Sequence, residues 1–91
     1  MFYIVSYDIA DDKRRSKVAK TLKDFGERVQ KSVFECLLDK ENLQKMINKL
    51  EKCIKEDEDS IRIYQLCNEC RQEIKIIGKG TVTEDEDVYI V

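Results

Sequence analysis

Phe2-Tyr3-Ile4-Val5-Ser6-Tyr7-Asp8 opens the chain as a run of aromatic and β-branched residues that ends on an acid. This composition predicts a strand, because rings and β-branches fit a pleated surface. Alternation then puts Phe2, Ile4, Ser6 and Asp8 on one face and Tyr3, Val5 and Tyr7 on the other, with large apolar groups on both sides. Downstream, Val18, Ala19, Leu22 and Phe25 recur at i, i+1, i+4 and i+7, the stripe of a helix running from Asp12 to Phe25. Gly26 stands where a left-handed C-cap would close that helix. Asp11 or Asp12 suits its N-cap, where a carboxylate accepts from free backbone N–H groups of the first turn. Asp8 comes before the turn, so capping explains it poorly.

Arg28 to Leu38 is strand-like throughout but long for one strand, and a break at Gln30-Lys31-Ser32 is expected. Asp39 caps a second helix, in which Leu43, Met46, Ile47, Leu50 and Ile54 keep helical spacing with Lys and Glu opposite. Ser60 to Leu66 reads as a strand and Cys67 to Arg71 as a helical turn; Glu73 to Gly78 and Asp87 to Val91 complete the expected strands. Strand, helix, strand pair, helix, strand is the α+β, ferredoxin-like βαββαβ sandwich, with both helices on one face of an antiparallel sheet. An additional C-terminal strand extends it. Residues 1–91 form a single domain, and about 79–91 form a tail and strand suited to dimer or partner contacts. The apolar residues on the helix-free face predict a homodimer, with the terminal strand pairing on the partner's sheet edge.

The 91 residues include no histidine, which excludes Ser-His and Cys-His nucleophile pairs and histidine metal triads. Glycine occurs only at positions 26, 78 and 80, so no phosphate-cradling loop precedes either helix. No apolar run approaches the roughly 20 residues of a membrane span, and the N-terminus lacks a signal-peptide pattern. A cytoplasmic protein with no membrane association is expected. Cys67-Asn68-Glu69-Cys70 is a single CxxC motif, but Cys36 and Cys53 fall in apolar patterns and do not supply a second pair of zinc ligands. The motif follows the third strand instead of opening the first helix of a redox fold, so reduced, partly buried thiols are the expectation.

The net charge of −2 argues against indiscriminate nucleic-acid binding, yet the charges are segregated. Lys13, Arg14, Arg15, Lys17, Lys20, Lys23, Arg28 and Lys31 crowd one stretch, whereas acids cluster at Glu56–Asp59 and Glu84–Asp87. With histidine absent, carboxylate chemistry on a hard cation remains. Mg²⁺, or Mn²⁺ in its place, needs only one or two protein carboxylates when phosphate oxygens and waters fill its other positions. Asp8 is the candidate ligand, and a two-fold axis near the strand end would bring two copies together.

Three motifs converge on a known family. Tyr7-Asp8-Ile9-Ala10-Asp11-Asp12-Lys13-Arg14-Arg15, then Phe25-Gly26-Glu27-Arg28-Val29-Gln30-Lys31-Ser32-Val33-Phe34-Glu35, then Asp59-Ser60-Ile61-Arg62-Ile63-Tyr64 with Leu66-Cys67, resemble the small core protein of CRISPR adaptation, the Cas-two (Cas2) family. The resemblance implies a ferredoxin-like homodimer with a short hairpin around Arg28–Glu35. It also implies binding to the adaptation integrase, Cas-one (Cas1), and bridging of two integrase dimers on double-stranded spacer-precursor DNA. In the family's terms Asp8 is the metal aspartate, and Tyr7, Arg15, Arg28 and Phe34 match positions of the nuclease site. Lys17 replaces a frequent arginine, keeping the charge but losing the bidentate fork. Two activities follow as expectations. One is a Mg²⁺-dependent endonuclease on RNA, including single-stranded RNA, or DNA. The other is a non-catalytic DNA adaptor, in which Lys13, Arg14, Arg15, Lys17, Arg28 and Lys31 meet the nucleic-acid backbone.

Overall fold

The computed structural model describes residues 1–84. The elements run β1 (Phe2–Asp8), α1 (Asp12–Lys23), β2 (Glu27–Gln30), β3 (Val33–Leu37), α2 (Lys40–Glu51), β4 (Ser60–Leu66) and α3 (Asn68–Gln72). The four strands form one sheet in the order β2-β3-β1-β4, and each neighbouring pair is antiparallel. This is the ferredoxin-like sandwich. The aromatic, β-branched β1 is central, flanked by β3 and β4, which removes both of its edges from water.

Register fixes which side chains share a face. Tyr3 lies opposite Cys36, Val5 opposite Phe34, and Tyr7 opposite Ile61. These residues form the core with Val18 and Leu22 of α1 and Met46 and Leu50 of α2. Val5, Val18, Leu22, Phe34, Cys36 and Met46 are wholly buried, and fully burying such side chains contributes roughly 1.5–3 kcal/mol each for those of Val or Leu size and above. Asp11 caps α1, accepting from the Arg14 backbone N–H at 2.9 Å, and Asp39 caps α2 through the Asn42 N–H at 2.7 Å.

Two local expectations are corrected, and a third is not tested. Helix α1 stops at Lys23 with a right-handed cap at Asp24, and Gly26 has no positive φ, so it is not a left-handed C-cap. Its role is close approach: a Cβ at position 26 would stand 2.3 Å from the Glu35 carbonyl oxygen and 2.5 Å from Cys36 Sγ. The run from Glu73 to Gly78 forms no strand. It leaves β4 through the turn of α3 and pairs with neither sheet edge, and Ile77 ends fully exposed. The strand expected over 87–91 lies outside the described residues.

The face opposite the helices is not uniformly open. Phe2 projects there, yet it is only 1% exposed, with the Arg71 guanidinium over its ring at 5.2 Å. Further along, Thr83 donates from its backbone N and its hydroxyl to Glu35 Oε1 at 3.1 and 2.7 Å, and Arg71 donates to the Thr83 carbonyl. Residues 71–83 thus form a strap across one end of this face. The other end, with Ser6, Asp8, Ser60, Arg62 and Tyr64, keeps its surface.

Candidate active site and nucleic-acid interface

The end of β1 places two consecutive side chains on opposite faces. Tyr7 turns toward the helices and is 4% exposed, whereas Asp8 is exposed on the far side, opposite Ser60 of β4. Both nonetheless reach one cleft of about 430 Å³, lined by Tyr7, Asp8, Ile9, Arg15, Arg28, Lys31 and Ser32. Four of the five residues expected in the nuclease site therefore meet there. Phe34 does not line it. Wholly buried, it packs beneath, with its ring 6.4 Å from that of Tyr7 and the Arg28 guanidinium 5.9 Å above it.

The β2–β3 turn organises the cleft. The Lys31 carbonyl accepts from the Tyr7 hydroxyl at 3.0 Å and from Arg28 Nε and Nη2 at 3.1 and 2.6 Å. Tyr7 also donates its backbone N–H to the Ser32 carbonyl at 3.1 Å. The Tyr7 hydroxyl thus ties the hairpin to β1 and sets where Arg28 stands. Arg15 is steadied from the other wall, donating to the Ile9 and Ala10 carbonyls at 3.2 and 3.3 Å and pairing with Asp12.

A second, basic groove of about 390 Å³ lies beside the first, lined by Arg15, Ser16, Lys17, Ala19, Lys20, Lys23 and Arg28. Arg15 and Arg28 belong to both. Lys20 and Lys23 join Lys17 here because steps of three place them along one side of α1, a spacing visible in the sequence. A third hollow of about 230 Å³ lies on the far face, lined by Ser6, Tyr7, Asp8, Ser60, Arg62 and Tyr64. Ser60, Arg62 and Tyr64 were not legible as partners of Asp8, because only the β1–β4 register brings them beside it.

Arg14 has a different setting from the one expected of a phosphate contact. Its Nε and Nη2 donate to the two carboxylate oxygens of Asp59 at 2.7 and 3.2 Å, and Nη2 also reaches Glu58 at 2.9 Å. The Asp59 side chain is fully buried and also accepts from the Lys55 backbone N–H at 2.9 Å. The Arg14 hydrogen bonds, then that of Lys55, hold the Asp59 carboxyl below the usual aspartate range. This pair joins the start of α1 to the loop before β4 and leaves the Arg14 fork occupied. Lys13, by contrast, is exposed.

Asp8 offers a hard oxygen donor at an exposed position, which suits a cation that retains waters. Among the described residues no group of three or more acids or cysteines is placed to hold a metal ion. One chain therefore supplies one carboxylate ligand, a set compatible with Mg²⁺ or Mn²⁺ when phosphate oxygens or a second chain contribute.

Residues 1–74 match the model of the family described as CRISPR associated protein Cas2. The chain belongs to the Cas2 family. It is 48% identical over 93 residues to the CRISPR-associated endoribonuclease Cas2 1 of Chloroflexus aurantiacus, covering 100% of both chains. Its fold is similar to the crystal structure of a hypothetical protein from Thermus thermophilus, with a TM-score of 0.80 and 40% identity over 91% of this chain and 96% of the other. A chain of a partial Cas6-RT-Cas1–Cas2 complex matches with a TM-score of 0.73 and 30% identity, over 84% of this chain and 89% of that one. The Cas2 match covers every element from β1 to α3 and both arginine-lined grooves. No helix among the described residues is long and apolar enough to cross a membrane.

Proposed function

We propose that this Cas2-family chain acts as a homodimer in CRISPR adaptation, binding a Cas1 integrase and bridging its dimers on spacer-precursor DNA, and that it also hydrolyses phosphodiester bonds. The observation that carries the nuclease reading is the single cleft in which Tyr7, Asp8, Arg15 and Arg28 meet. Asp8 would hold Mg²⁺ or Mn²⁺, together with the Asp8 of a second chain. Such an ion, when bound, supplies Lewis-acid activation of a phosphoryl oxygen and acidifies a water. Arg15 and Arg28 orient the phosphate from the two walls with charge-assisted hydrogen bonds. Tyr7 and Phe34 position Arg28, through the shared Lys31 carbonyl and through the ring beneath the guanidinium.

The adaptor reading is supported by the separate basic groove along α1, which does not include Asp8. A duplex backbone running through it would meet Arg15, Lys17, Lys20, Lys23 and Arg28 while leaving the carboxylate unused. Asp8→Ala distinguishes the two roles. The expected outcome is loss of metal-dependent RNA or DNA cleavage by at least about 100-fold, with dimerisation and duplex binding retained. Cleavage unchanged by the substitution would remove Asp8 from the site. Spacer acquisition by the same variant with its integrase shows whether the chemistry is needed there; the adaptor reading expects acquisition to survive.

A further inference from the structure

Cys67 and Cys70 have no part in either groove. Both are free thiols, but they are exposed and not partly buried as expected, because β4 ends at the turn of α3 and delivers them to the solvent. They are already organised toward each other: Cys67 Sγ accepts the Cys70 backbone N–H at 3.3 Å. That N–H, and next the Cys70 thiol, hold the Cys67 thiol below its ordinary range, while the same thiol pairing raises Cys70. The backbone N–H donated to Cys67 Sγ favours its thiolate, which makes Cys67 the readier nucleophile and Cys70 its resolving partner. The other two cysteines differ in setting. Cys36 is wholly buried, and burial, then the Glu35 charge, pushes its thiol up to about 11. Cys53 is half-buried, its sulfur 3.3 Å from the Lys49 carbonyl and 3.7 Å from the Thr21 hydroxyl.

A soft metal is the rival use of a CxxC pair, but it wants four ligands, and no third acid or cysteine stands with these two among the described residues. We propose that Cys67 and Cys70 are a redox modification site, closing to a reversible intramolecular disulfide by exchange with low-molecular-weight disulfides. The Cys67 thiol gives its proton to solvent, and its thiolate attacks one sulfur of the small disulfide. The S–S bond of that molecule breaks, and the departing thiolate takes up a proton. Cys70 then loses its proton and attacks Cys67 Sγ, expelling the second small thiolate, which is protonated in turn. Two protein thiols are oxidised, and one small disulfide is reduced to two thiols.

The position gives the modification a structural lever. Arg71 follows Cys70 directly; it covers Phe2 and holds Thr83, which holds Glu35. Closing the pair places a covalent link one residue before Arg71 and so acts at the root of the strap over the helix-free face.

The test exposes reduced full-length protein to graded glutathione and glutathione-disulfide mixtures, followed by acid quench, alkylation under denaturing conditions and peptide mapping. The expected result is joint loss of alkylation at Cys67 and Cys70, reversed by dithiothreitol, with Cys36 and Cys53 still alkylated. Cys70→Ser should stop at a mixed glutathione disulfide on Cys67, and Cys67→Ser should slow modification of Cys70 by about tenfold or more. A stable mixed disulfide in the unmodified sequence, or preferential oxidation of Cys53, would overturn the proposal. Equimolar zinc protecting both thiols in the reduced protein from glutathione disulfide would assign the pair to a metal instead.

Discussion

Arg14 and Arg15 are adjacent and identical in type, yet the fold gives them opposite work. Arg15 stays about half-exposed between two grooves, while Arg14 turns inward onto the buried Asp59. Because its partner lowers the folded-state pKa of Asp59, the stabilisation is complete above the ordinary aspartate value of 3.8 and is lost as pH falls through the lowered folded value. Asp11, held low first by the Arg14 backbone N–H, works in the same direction. Asp59→Asn leaves the guanidinium without its carboxylate, and a Tm lower by about 5 °C or more at pH 7 is expected, with a flatter decline below pH ~4 in thermal melts. Sequence showed cations at 14 and 15 and an acidic run at 56–59, but the run reads as a solvated loop. Nothing in one dimension marks Asp59 as the acid that folds inward, since its contact with Arg14 spans 45 positions.

At the scale of elements, the α1 and β2–β3 pieces build the basic groove from lysines on one helix side and an arginine across a turn. Replacing Lys17, Lys20 and Lys23 together with Ala should weaken duplex binding and reduce the slope of log K against log salt by about two to three units. Arg14→Ala should leave that slope unchanged, because its charge is already spent; binding titrations at several salt concentrations read both. Gly26 tests the joint between α1 and β2. Gly26→Ala forces a methyl against the Glu35 carbonyl and Cys36 Sγ, and a loss of about 1–3 kcal/mol is expected from denaturant melts. The helices were legible because their stripes and caps are local, and the break before Val33 appears as the turn at Lys31-Ser32. The glycine was misread, since C-cap and close approach both call for glycine and only the neighbouring strand distinguishes them.

At the scale of the molecule, the two faces of the sheet have different fates. The helices cover one, and the strap covers the Phe2 end of the other, leaving Tyr64 48% exposed near Ser6, Asp8 and Arg62. A second copy seated on this uncovered end would bury Tyr64 and bring two Asp8 carboxylates to one neighbourhood. Sedimentation of the full-length protein at micromolar concentration is expected to show a dimer, and Tyr64→Glu should weaken it by about tenfold or more. If Tyr64→Glu remains fully dimeric while losing cleavage, the shared face and the nuclease site are not linked as proposed.

The amino-acid order alone determined the elements from β1 to β4, the acid that ends β1, and the segregation of cations from acids, because these depend on side-chain period, caps and turns over a few residues. The tertiary structure decided what each charge does. Register set Ser60, Arg62 and Tyr64 beside Asp8, the hairpin brought Arg28 over Phe34 and into the cleft, and a buried acid withdrew Arg14 from the surface. Those pairings join residues far apart in the chain, and their partners become fixed only when packing chooses among many exposed charges of the same sign.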